Sequence, residues 1–170
     1  MRILGIDPGS RITGYGLIEG TPRGPRVLAY DVIKPPACDL PDRLVYLYRG
    51  LSELMTEHEP DVVAVETAFY HKSARSTLVL GQVRGVLVMG ARERGVEVSE
   101  ISPREVKLAV TGNGGASKEQ VQFMVRSVLK LKELPPVDAS DALALAICTW
   151  QRAKLTLSRP ASRAGATGAP

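Results

Sequence analysis

Two short apolar runs in this chain each close on an acid: Ile3-Leu4-Gly5-Ile6 leads into Asp7, and Val62-Val63-Ala64-Val65 into Glu66. Both runs have strand length and composition and are bounded by turn residues. Between them lies "LPDRLVYLYRGLSELMTEHEP", where Leu44, Leu47, Leu51, Leu54 and Met55 recur at helical intervals until Pro60 closes the segment. A helical crossover lets the two strands run parallel. Asp7 and Glu66 would then leave the sheet at one carboxyl edge, where open α/β sheets place ligands. An acid ending an apolar strand has no routine structural task, so this pairing constrains the chain more than any other feature.

The rest of the sequence fills in around these strands. Residues 12–19 and 26–34 read as antiparallel partners of the first strand, with "DPGSR" and "GTPRGP" as turns. A long helix is expected at about 76–94, and "VEVSEIS" reads as a fifth strand. Ser102-Pro103 opens a short helix through Val110, and Ser117 with Gln120 has capping-box spacing for a helix to about 130. After the "LPPVD" break, 139–154 reads as a final helix. The order βββ-α-β-α-β-α-α-α predicts an α/β fold, a five-stranded mixed sheet with helices on both faces. At 170 residues one domain is expected, over 1–155. Residues 156–170 are expected to be a disordered basic tail, because their Ala/Gly/Ser/Pro/Arg composition cannot build a core.

A third and fourth acid come from "VDASDALALA": Asp138 and Asp141 stand three apart, on one face of the final helix. Taken alone, Asp138 is also a good N-cap, Asp141 suits the helix dipole, and Asp7 before Pro-Gly suits an Asx turn. Taken together, four acids at one edge would repel unless protonated or bridged by cations. Oxygen donors without Cys or His favour hard ions, Mg²⁺ or Mn²⁺. Two such ions, roughly 3.5–4 Å apart, would stabilise attacking and leaving oxygens in an in-line phosphodiester displacement.

The charge distribution agrees with a polyanionic substrate. The formal net charge is +4, but all 18 acids precede residue 150 and the whole excess is Arg152, Lys154, Arg159 and Arg163. Between residues 67 and 92 no acid occurs, while Lys72, Arg75, Arg84 and Arg92 do. In the same region "ETAFYHKSARS" offers Phe69 and Tyr70 in a basic loop; an aromatic there can stack on an unpaired base, worth ~1–3 kcal/mol, or staple onto the next helix. "TGNGGASK" is no P-loop, since the order is Ser-Lys and no strand leads into it. Gly14 and Gly16 would allow close approach of backbone or of DNA, with a simple bend as the alternative. His58 and His71 lack ligand spacing. Cys38 and Cys148 form neither a zinc nor a CxxC pattern, which suits reduced thiols and a cytoplasmic location. No stretch has the ~18 continuous apolar residues of a membrane helix.

"ILGIDPGSRITGYG", the strand-ending Glu66, "GQVRG" and "DASDALALAI" together resemble the RuvC family of Holliday junction resolvases. The resemblance implies an RNase H-like fold and a homodimer that resolves four-way DNA junctions in recombination and repair. It implies paired, metal-dependent nicks, with Asp7, Glu66, Asp138 and Asp141 as the acidic site. Lys107 and Lys118 match family lysines near the cleaved phosphate, and Phe69 matches a phenylalanine that stacks at the junction centre. Lys72 and Arg75 are expected to touch DNA, and a RuvA/RuvB-type branch-migration complex is the expected protein partner. Some relatives carry His where this chain has Asp138. For Tyr70 packing is expected. Within 76–94, Gly81 and Gly85 would let a second helix approach, which suits a two-fold dimer; cover by the chain's own 102–130 segment is the alternative. An actin-like or sugar-kinase phosphotransferase would need a second lobe, for which this length leaves no room.

Overall fold

The computed structural model describes residues 1–67 and 73–158. Five strands, β1 (Arg2–Asp7), β2 (Thr13–Thr21), β3 (Gly24–Ile33), β4 (Val62–Glu66) and β5 (Glu97–Ile101), form one sheet in the order β3-β2-β1-β4-β5. The first three make an antiparallel meander, while β4 and β5 run parallel to β1. Helices α1 (Leu40–His58), α2 (Ala74–Glu93), α3 (Pro103–Thr111), α4 (Lys118–Leu129) and α5 (Val137–Ser158) cover both faces. The mixed sheet expected from the sequence is therefore present, with the expected element order.

Strand alternation assigns the faces. On β1, Leu4 and Ile6 point to one side and pack with Leu47, Leu51 and Met55 of α1 and Val83, Leu87 and Ala91 of α2. Ile3 points to the other side, into the core built by α3, α4 and α5. Gly5 and Asp7 share that second face with Ile3. On β4, Ala64 joins the second core and Val63 and Val65 the first, so Glu66 also falls on the α5 face. Ile6 pairs with Val65, which brings Asp7 and Glu66 level, one step further along adjacent strands.

Local chemistry sets most boundaries. Ser102 and Ser117 each close a capping box, with Glu105 and Gln120, and Asp39 caps α1 by accepting the Asp42 N–H. Three boundaries differ from expectation. The β2–β3 hairpin is longer than the sequence suggested, because the ladder continues to the Thr21–Gly24 pair; Pro25 is tolerated because β3 is an edge strand. Helix α5 begins at Val137, with the Ser140 N–H already bonded to the Pro136 carbonyl at 2.8 Å, so Asp138 lies inside the first turn and is not the N-cap. The same helix runs to Ser158, so residues 156–158 continue it and do not open a tail. The remainder of the proposed tail, 159–170, lies outside the described residues.

Candidate active site: carboxylates between the sheet edge and α5

The first requirement of the site is that α5 lie very close to the sheet. Gly5, Gly14 and Gly16 form that seat. A methyl group added at Gly5 would stand 1.9 Å from the Ala142 carbonyl oxygen, and one at Gly14 would stand 2.0 Å from that of Asp138. At Gly16 the obstacle is Leu143, at 2.6 Å. These glycines are there for close helix approach, not for a bend. The seat brings the first turn of α5, with Asp138 and Asp141, over the ends of β1 and β2.

The turn after Asp7 is closed by a different residue. Thr13, fully buried, donates its hydroxyl to the Gly9 carbonyl at 2.8 Å and accepts the Gly9 N–H at 3.3 Å. Asp7 is thus not spent on an Asx turn. Its carboxyl is pushed up to about 7, first by burial, then by the charges of Asp141 and Glu66, and least by Asp138; Lys118 acts in the opposite sense. The charges of the other three predicted acids thus all bear on Asp7, and the helix N-terminus beneath Asp138 and Asp141 favours negative charge there.

Lys118, the first residue of α4, reaches across to Asp141, Nζ to Oδ2 at 3.0 Å. That hydrogen bond, followed by the charge of Asp141, holds the ammonium above its usual range. Lys107 of α3 faces the same space. With Asp7, Glu66 and Asp141, the two lysines line a cavity of ≈ 500 Å³ whose far wall is α2. Asp138 does not line it. Arg75 is exposed on the first turn of α2, also outside the cavity lining. Phe69, Tyr70, His71 and Lys72 lie outside the described residues. His58 stands apart, its carbonyl accepting from Arg2 at 2.8 Å. Both cysteines are free.

The donor set suits a divalent cation in kind and in charge. It is all oxygen, and Asp7 stands buried beside other acids, where a bound cation would offset their charge. Among the described residues, no three Asp, Glu, His or Cys side chains close around one point as they stand. Asp141 is turned onto Lys118, whose ammonium supplies the local positive charge in this arrangement.

Sequence reading counted Arg84 only as part of a basic stretch; it lines the cavity and donates to the Glu66 carbonyl. The available signal was "GQVRG"; which way Arg84 turns on α2 follows only from how that helix sits.

The family model described as "Crossover junction endodeoxyribonuclease RuvC" matches residues 3–149. A Pseudomonas putida protein of that name is 49% identical over 146 residues, covering 86% of this chain and 84% of its own length. Its namesake from Alkalilimnicola ehrlichii is 47% identical over 154 residues, covering 91% and 93%. The structure of T. thermophilus RuvC in complex with a Holliday junction substrate superposes with a TM-score of 0.86 at 33% identity, over 92% of this chain and 96% of that one.

Proposed function

The chain belongs to the RuvC family of crossover junction endodeoxyribonucleases, and we propose how its own residues resolve a Holliday junction. It is a nuclease of RNase H-like α/β fold, dependent on a divalent metal, that nicks four-way DNA junctions in recombination and repair. The observation that carries the residue assignment is the level placement of Asp7 and Glu66 by the parallel β1–β4 pair, with Asp141 brought over them by α5.

In this reading Asp7, Glu66, Asp138 and Asp141 hold two ions, Mg²⁺ or Mn²⁺. When bound, such ions activate the attacking water and offset charge on the leaving oxygen. Asp7 must give up its proton to serve as a ligand, so its high pKa ties loading to pH. Lys107 and Lys118 line the same cavity and steady the phosphate. Phe69, Lys72 and Arg75 are proposed to hold the junction centre and its arms.

Symmetric cutting of two strands calls for two sites related by a two-fold axis. The outer face of α2 supports a homodimer: Leu78 and Met89 are 69% and 57% exposed, and open space lies over Gly81 and Gly85. Helices α3 and α4 pack with α5 in the second core, which leaves that face uncovered among the described residues. A RuvA/RuvB-type branch-migration complex and a cytoplasmic location are proposed from family membership. Among the described residues no helix is long and apolar enough to cross a membrane.

The test is a labelled four-way junction beside a linear duplex, each with Mg²⁺, Mn²⁺ or EDTA. Paired nicks confined to the junction, and only with metal, are expected. Asp7→Asn should still bind the junction but leave it uncut, because it removes a ligand and lessens repulsion. Lost binding by a folded Asp7→Asn protein would contradict the assignment.

A further inference from the structure

The carbonyl of Glu66 stands where β1 runs out of donors. The Thr67 N–H bonds the Ile101 carbonyl of β5 at 2.9 Å, so the Glu66 carbonyl, on the opposite side of the same trans peptide, points towards β1. Glu66 is level with Asp7, and the residue that follows Asp7 is Pro8, which has no N–H to give. The Glu66 carbonyl takes its donor from α2: Arg84 Nε, at 3.2 Å. A second nitrogen of the same guanidinium meets the Glu100 carboxylate on β5 at 2.6 Å. Three elements therefore converge on one planar group.

We propose that Arg84 is a positioning residue for Glu66, fixing the end of β4, and with it the carboxylate, relative to α2. This rests on the reading of Glu66 as a metal ligand. The chemistry favours arginine: a rigid planar group can donate Nε–H to a carbonyl while its charge sits against a carboxylate, whereas an ammonium is a point charge on a flexible stem. The Arg84 side chain is only 21% exposed, so that group is held largely out of water. Glu100 is half exposed, and an ion pair of that kind adds little stability by itself; the direction comes from the Nε–carbonyl hydrogen bond, since the Glu100 contact is close but does not have hydrogen-bond geometry. Helix α2 begins just after the 68–72 segment and carries the uncovered face with Leu78 and Met89. A shift of α2 caused by DNA or by a second copy would be transmitted through Arg84 to Glu66.

The test uses full-length protein and three readouts: Mn²⁺ affinity without DNA, junction affinity in EDTA, and single-turnover cutting at saturating junction and metal. Arg84→Met is expected to weaken Mn²⁺ binding ~10-fold, as loss of a supporting partner does. It should slow cutting ~100-fold, the scale of a misplacement near 1 Å. Junction affinity should stay within about threefold, and Arg84→Lys should recover part of the rate. On a Glu66→Gln background, Arg84→Met should change Mn²⁺ affinity no further, because its effect runs through Glu66. An equal loss on both backgrounds would overturn the proposal, as would a fall in junction affinity that accounts for the whole rate loss. A wild-type protein that nicks no junction with either metal would sink the functional reading instead, and the Mn²⁺ titrations would still judge Arg84.

Discussion

At pH 7 roughly half of the Asp7 side chains hold a proton in the metal-free protein, since burial and the neighbouring acids bring the pKa from 3.8 to about 7. The unfolded chain has released that proton by about pH 4. Between these values the folded state binds more protons, so stability falls as pH rises through the interval and stays reduced above it. Asp7→Asn carries no such penalty. In EDTA it should unfold at a higher temperature than wild type at about pH 8, by on the order of 3 kcal/mol. The gap should close as the pH is lowered towards 4. Thermal unfolding across that range checks it, and a pH-independent gap would mean that Asp7 ionises freely. A neighbour sharpens the point. Lys118 pulls the Asp7 pKa down, so Lys118→Met should move the Asp7 carboxyl titration further up, as followed by NMR. At this scale the four acids were named from the sequence and the two lysines from its family resemblance, and the structure gathers Asp7, Glu66, Asp141, Lys107 and Lys118, without Asp138, along one cavity. Which residues would share a cavity was partly legible. Which lysine touches which acid was not, because the Lys118–Asp141 contact joins residues 23 apart in the chain on two different helices.

Among the elements, α5 decides most. Its approach to β1 and β2 rests on residues without side chains, so Gly5→Ala must move either the helix or the strand to clear the Ala142 carbonyl. A loss of about 3 kcal/mol is expected, together with loss of cutting. Chemical denaturation beside the junction assay tests both. A stable, active Gly5→Ala protein would show that the seat is slack. By contrast, Ser117→Ala should cost only about 1 kcal/mol, the usual effect of a lost cap. Helix starts at Ser102 and Ser117 could be read from the sequence because cap chemistry is local, three residues end to end. The start of α5 was misplaced because Pro136 supplies the carbonyl that opens the helix, a bond no local pattern announces. The role of the glycines was half legible: close approach was among the expectations, but the partner was left open as backbone or DNA. It is a helix more than a hundred residues downstream.

For the whole molecule, the sheet lies between the two cores, and α2 keeps one apolar face that none of the described residues covers. Leu78→Glu should give a monomer by sedimentation, still folded, that nicks junctions singly and not in pairs. A Leu78→Glu protein that remains dimeric would place the contact elsewhere. The parallel relation of β1 and β4 was readable from the crossover helix, and with it the edge that gathers the acids. The uncovered face was readable only as an excess of apolar residues on 76–94, since burial by α3 and α4 would have left the same pattern. The glycine seat also bears on how this protein can vary. Side chains at positions 5, 14 and 16 shift both α5 acids at once, whereas changes on α4 reach a single lysine. A screen of random substitutions should therefore return complete loss-of-function alleles from the inner face of β1 and β2. Partial, temperature-dependent alleles should come from the surrounding helices.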